Sequence, residues 1–181
     1  MGNRISLILA EARPRQWVKN VVLFAGLVFS ENVAEADLLI RAVAGFAAFC
    51  LLSGGLYIFN DIVDLESDKL HPDKRKRPLA RGELGIVAAS CGSGVFIGAG
   101  VCISVLLGGS FAAASALYLI LGVLYSVYLK RLIILDALII SVGFVLRAIA
   151  GVEALRPTLA SIEISPWLLV CTLFLALFMA F

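Results

Sequence analysis

Charge is scarce in this sequence. Of its 181 residues only 15% are Asp, Glu, Lys or Arg, while 61% are hydrophobic; a soluble domain is about half apolar and about a quarter charged. At a mean hydropathy of +1.02 the surplus apolar surface needs lipid. That excludes a soluble enzyme, including a soluble isoprenoid synthase built on aspartate-rich helices. Histidine is rarer still. His71 is the sole one, so no cluster of imidazoles exists to hold a metal, and His71 itself reads as a hydrogen-bonding loop residue. Cys50, Cys91, Cys102 and Cys171 stand apart in apolar stretches with no CxxC pair. Neither a disulfide framework nor a zinc site follows, and four buried thiols are expected. There is also no basic-then-apolar leader ending at a small-residue cleavage site: the first apolar run, residues 5–10, is brief and leads into "EARPRQWVKN", so a retained N-terminus is expected.

What the chain does have is long apolar runs. About 20 mostly apolar residues make a membrane-spanning helix, and six segments qualify or nearly so: residues 18–29, 38–59, 84–107, 110–129, 132–152 and 166–181. The last is still apolar where the sequence stops, which leads to the expectation of a longer parent protein. The connections alternate in charge. Arg4, Arg13, Arg15 and Lys19 precede the first span, a Lys/Arg run follows the second, and Lys130 and Arg131 follow the fourth; the intervening connections carry Glu31, Glu35 and Asp37, then "LGGS", then Glu153, Arg156 and Glu163. By the positive-inside bias the N-terminus and both basic loops are expected to be cytoplasmic, in a multi-pass protein of the plasma membrane. Gly94 and Gly98 form a small-xxx-small pair, with Gly92 and Gly100 nearby, expected to mark a tight helix contact. No internal repeat or linker divides residues 1–181, so a single transmembrane helical domain is expected. Nothing points to nucleic acid, and a homo-oligomer stays open.

Against this background the stretch "NDIVDLESDKLHPDKRKRP", residues 60–78, holds ten charged side chains in nineteen. If the second helix continues past Phe59, then Asn60, Asp61, Asp64 and Asp68 fall within an arc of about 100° at 100° per residue. Three carboxylates on one face repel. A hard divalent ion such as Mg²⁺, which takes oxygen ligands and keeps waters, would compensate and would bridge to phosphate oxygens, so Asp61, Asp64 and Asp68 are candidate metal ligands and catalytic residues for a diphosphate substrate. Taken alone, the basic run between Pro72 and Pro78 reads first as a solvated loop that sets topology; its Arg and Lys side chains can also neutralise phosphate. Tyr125, Tyr128 and Lys130 collect at the same face, where an aromatic and basic interfacial belt is the plainer reading. Asp136 and Arg147, eleven residues apart in the fifth span, return to nearly the same face of the helix. Charges inside a membrane face a cavity or one another, so these two are expected to line a polar cavity running inward.

"NDIVDLESD" resembles the first aspartate-rich motif of the UbiA superfamily of membrane prenyltransferases. "RPRQWVKN" (residues 13–20), "HPDKRKRPLARG" (residues 71–82) and "YSVYLKRLIILDALIISVGFVLRAIAG" (residues 125–151) resemble its decaprenyl-phosphate phosphoribosyltransferase branch. The resemblance spans essentially the whole chain. It implies an all-α bundle of nine helices, of which about six are present, around a cavity holding Mg²⁺ and 5-phosphoribosyl diphosphate at its cytoplasmic mouth. A polyprenyl (decaprenyl) phosphate acceptor would extend its tail into the bilayer, and the product would be the lipid precursor of cell-wall arabinan. Asn60, Asp61, Asp64 and Asp68 would hold metal and diphosphate. Arg13, Lys19, Arg75, Arg77 and Lys130 become candidate phosphate contacts.

Two departures accompany the likeness. The superfamily often spaces Tyr and Lys four apart at the end of the fourth helix, whereas Tyr125 and Lys130 are five apart, leaving the equivalent tyrosine open. Its second polar motif follows the sixth helix, beyond Phe181, so this sequence is expected to hold about half of the catalytic cavity and to be inactive alone. Two rivals are carried: prenyl transfer from a prenyl diphosphate to an aromatic acceptor, and a membrane transporter.

Overall fold

The computed structural model describes residues 3–131 and 133–180. Leu132 and Phe181, at the bounds of two expected spans, lie outside the described residues, as does the side chain of Arg131. A short helix, α1 (Arg4–Glu11), capped by Asn3, whose side chain accepts from Ile5 N, precedes a 3-10 helix, Pro14–Phe24, that runs into α2 (Ala25–Phe29). There follow α3 (Ala36–Val63), α4 (Leu65–Leu70), α5 (Ile86–Leu107), α6 (Gly109–Val127), α7 (Ile133–Leu155) and α8 (Pro166–Ala180). Among the described residues four helices are long and apolar enough to cross a membrane, and α8 is a shorter apolar helix. The chain is a multi-pass, all-helical membrane protein, and α3 and α5 are apolar on all sides, as a span should be.

The first expected span takes an unforeseen form. The observed segment starts earlier, at Pro14, and its 16 residues to Phe29 would rise about 24 Å as an α-helix, short of a hydrocarbon core about 30 Å thick. With 11 of them in a 3-10 helix, at about 2.0 Å per residue, the segment reaches about 30 Å. Pro14 starts it, and Arg13 before it adopts φ 51°, a conformation costly for a residue with a Cβ.

Helix α3 lies at the centre, against α1, α5, α6, α7 and the 3-10 segment. Its 28 residues rise about 42 Å, so its last turns, carrying Asn60 and Asp61, project to the membrane boundary. Phe49 packs edge-on against Phe111 at 5.8 Å and at a tilt against Tyr118 at 5.1 Å. The close α3–α5 contact does not use Gly94 and Gly98, beside which nothing lies within 4 Å. Gly55 and Gly100 make it instead: a Cβ on Gly100 would meet Leu52 at 2.7 Å, and one on Gly55 would meet Ile97 at 2.6 Å. Ser93 reinforces it by donating to the Gly55 carbonyl at 2.8 Å. The single residue Gly108, at φ 132°, turns the chain from α5 into α6, a backbone state that disfavours any side chain. Of the four cysteines only Cys50 is buried; Cys91, Cys102 and Cys171 are on exposed helix faces, because spans with few buried residues leave most of their apolar side chains outward.

Candidate active site

The aspartate motif keeps its helical register through a break. At Asp64 the backbone reaches φ −91°, ψ 2°, yet Asp64 N still donates to Asn60 O at 2.9 Å and Asp68 N to Asp64 O at 2.8 Å. Asn60, Asp61, Asp64 and Asp68 therefore stay on one side of the chain, with Asp61 and Asp68 each 2% exposed. The compensating cation found there is Arg77, whose Nη1 donates both to Asp61 Oδ1 at 2.9 Å and to Asp68 Oδ2. Arg13 also donates to Asp61 Oδ1 and lies over the Tyr57 ring, 5.0 Å from its centroid. These contacts hold Arg13 in its strained backbone state. Lys74 approaches Asp68 at 3.8 Å, and Lys130 pairs with Asp64 while donating to Asn60 Oδ1 at 3.3 Å.

Behind this network stands Glu11, the last residue of α1. Its Oε1 accepts from Leu79 N at 2.7 Å, tying the basic loop to the N-terminal helix. Burial, and then the Asp61 carboxyl beside it, push Glu11 up to about 7.

A cavity of about 550 Å³ opens beside these residues. Among the described residues six cations line it, namely Arg13, Lys19, Lys74, Arg77, Lys130 and Arg147, against two carboxylates, Asp64 and Asp136. That imbalance suits a polyanion. Asn60, Tyr57, Ser53, Tyr118 and Tyr125 add polar groups, and Leu56, Leu121, Ile139, Ile140 and Phe144 form apolar wall. At the inner end Arg147 donates to Asn20 Oδ1 at 2.7 Å, to the Gly143 carbonyl at 2.9 Å and to the Tyr118 hydroxyl at 2.8 Å.

Arg13, Lys19, Asn60, Asp64, Arg77, Tyr125, Lys130, Asp136 and Arg147 are thus brought together on one cavity. Asp61 and Asp68 stand behind its wall, joined to it through Arg77. Two residues expected on substrate stand outside. Arg75 is exposed on the basic loop, whose fold turns Arg77, and not Arg75, toward the aspartates. Tyr128 is 68% exposed, because α6 ends at Val127 and Tyr128 leaves the helical phase that aims Tyr125 inward. Sequence reasoning missed Glu11, Asn20, Tyr57 and Tyr118. Asn20 and Tyr118 carried a legible signal, each being a polar group inside an apolar span.

Mg²⁺ fits the donors in kind. Asp61 Oδ2 and Asp68 Oδ1 are buried without a hydrogen-bond partner, and with Asp64 and Asn60 they supply the oxygens a hard cation takes. Among the described residues no three acidic, His or Cys side chains converge to hold a metal by themselves, since the aspartates are drawn to Arg13, Arg77, Lys74 and Lys130.

Residues 20–181 match the model of the UbiA prenyltransferase family. The chain is 37% identical over 182 residues to the decaprenyl-phosphate phosphoribosyltransferase of Mycolicibacterium smegmatis, covering 98% of this chain and 56% of that one. To the protein of the same name in Corynebacterium glutamicum it is 34% identical, covering 93% and 50%. It spans about half the length of these relatives. Among solved structures, a UbiA homolog from Archaeoglobus fulgidus bound to DMAPP and Mg²⁺ superposes with a TM-score of 0.79 at 21% identity, over 95% of this chain and 60% of that one.

Proposed function

Because this chain belongs to the UbiA prenyltransferase family, we propose that it works as a Mg²⁺-dependent pentosyltransferase. In this reading it moves 5-phosphoribose from 5-phosphoribosyl diphosphate to a polyprenyl (decaprenyl) phosphate at the cytoplasmic face of the plasma membrane, giving the lipid precursor of cell-wall arabinan. The observation that carries the reading is the excess of cations on the cavity wall, six against two carboxylates. A prenyl diphosphate has one anionic end, which the mouth residues alone satisfy. A phosphorylated sugar diphosphate and a lipid phosphate together bring more negative charge, and this wall matches it. The names of the relatives point to the same substrates.

The chemistry needs little from the protein beyond charge and position. The bond between the ribose C1 and the diphosphate oxygen breaks, its electron pair leaving with diphosphate, and an oxygen of the lipid phosphate forms the new bond to C1. No proton has to move, because that phosphate is already anionic, which suits a site without histidine. Lys130, Arg77 and Arg13 stabilise the charge that grows on the departing diphosphate, the kind of electrostatic assistance that dominates such steps. Asn60 and Asp64, with Asp61 and Asp68 behind them, are the residues that would hold Mg²⁺. When bound it would act as a Lewis acid on the diphosphate oxygens. Tyr125 and Asp136 also line the cavity and would position the sugar.

Membranes expressing the protein, given labelled 5-phosphoribosyl diphosphate or labelled prenyl diphosphate, test the reading. Transfer of label from the first to polyprenyl phosphate is expected, with Asp64→Asn reducing it by about 100-fold or more. Transfer from the prenyl donor instead, or full activity in Asp64→Asn, would reject it.

A further inference from the structure

The two cations at the inner end of the cavity lack a counter-charge. Arg147 is 6% exposed, and the groups it donates to, on Asn20, Gly143 and Tyr118, are all neutral. Lys19 lines the same cavity and is the chain neighbour of Asn20, on which Arg147 rests. Among the described residues neither forms an ion pair with a carboxylate, whereas at the mouth Asp61, Asp64 and Asp68 are each paired. Asp136, the other carboxylate on the wall, is eleven residues from Arg147 along α7, about 16 Å of rise. A guanidinium at membrane depth with neutral partners alone is expensive, and a second cation beside it adds repulsion. Three donations also leave two of its five N–H groups free to face a ligand.

We propose that Arg147 and Lys19 form a second anion pocket, separate from the diphosphate end, that takes a phosphate monoester. The inference rests on the reaction proposed above, in which two monoesters occur, the 5-phosphate of the donor and the phosphate of the lipid acceptor. Depth agrees with it. Asn20, the partner of Arg147, donates to Ser53 at 3.3 Å, and Ser53 lies two turns below Asn60 on α3, about 10 Å. The pocket therefore sits about one sugar's length beneath the aspartates. It also discriminates between donors, because a prenyl diphosphate offers these cations nothing.

Equilibrium binding to the purified full-length protein tests this, with three probes: 5-phosphoribosyl diphosphate, inorganic diphosphate and a polyprenyl phosphate. Arg147→Gln is expected to weaken one monoester-bearing probe by about 10- to 100-fold while inorganic diphosphate, held at the mouth, keeps its affinity. Lys19→Gln should give a smaller loss on the same probe, and Arg147→Lys should restore part of it. Loss confined to the sugar diphosphate assigns the pocket to the donor's 5-phosphate; loss confined to the lipid assigns it to the acceptor. If Arg147→Gln binds all three as the wild type does, or loses all three alike, the pocket is refuted. A wild type that binds neither monoester overturns the reaction proposed above, and this inference with it.

Discussion

The two ends of the cavity solve the problem of charge beside a membrane in opposite ways. At the mouth, Arg77 joins Asp61 to Asp68, Arg13 joins Asp61, and Lys130 joins Asp64. At the inner end, Arg147 rests on an amide, a carbonyl, a phenol and two aromatic rings. The first arrangement is cross-linked by its own ion pairs and holds four segments of chain in place. The second is held by neutral groups and keeps its charge available. The difference teaches that the mouth's cations serve structure as well as ligand, while the inner cations have no structural anion to serve.

Removing the shared cation is expected to break the mouth most severely. Arg77→Met leaves Asp61 and Asp68 buried with much of their compensation gone, a loss of about 3 to 5 kcal/mol, read as a fall in the thermal unfolding midpoint in detergent. The inner end is best broken at Gly151, where a Cβ would lie 2.1 Å from the Leu23 carbonyl oxygen. Gly151→Ala must push the 3-10 segment off α7, at a cost of about 2 to 3 kcal/mol, and should weaken phosphoribosyl diphosphate binding by moving Asn20 off Arg147.

Glu11 sharpens the comparison through pH. Its carboxyl, at about 7 against an ordinary 4.5, binds its proton more tightly in the folded protein than in the unfolded one. Its contribution is complete below about 4.5 and is lost as pH rises through about 7. Glu11→Gln keeps an acceptor for Leu79 N but cannot ionise, so its stability advantage over the wild type should grow across that window in melting curves. Arg75→Gln and Tyr128→Phe, outside the cavity, should change stability by less than about 0.5 kcal/mol and leave transfer within two-fold of wild type. A large loss in either would mean that the mouth extends beyond the residues that line it.

Hydropathy was enough to find the spans, since α3, α5, α6 and α7 each fall within a few residues of an apolar run. The helical period was enough to align the aspartates. Pairing was out of reach, because Arg13 meets Asp61 across 48 residues of sequence and no local pattern encodes that meeting. Gly94 and Gly98 misled because the small-xxx-small spacing recurs on several faces of α5, and only the partner helix decides which face is used. Tyr125 and Tyr128 could not be told apart without knowing that α6 stops between them. Nothing local in the sequence marks Glu11, whose burial and partner come from Leu79, 68 residues away.

The tighter winding of Pro14–Phe24 changes how that segment tolerates alteration. Each residue there advances the chain by about 120°, against 100° in an α-helix, so phase error accumulates fast. Over the six steps from Pro14 to Asn20, relaxing to α-helix would swing Asn20 by about 120° and draw it back about 3 Å. Deleting one residue between Pro14 and Lys19 would bring Asn20 round to the bearing now held by Lys19. The stretch behaves as an indexed spindle, in which length is as much a specificity determinant as the side chains it carries.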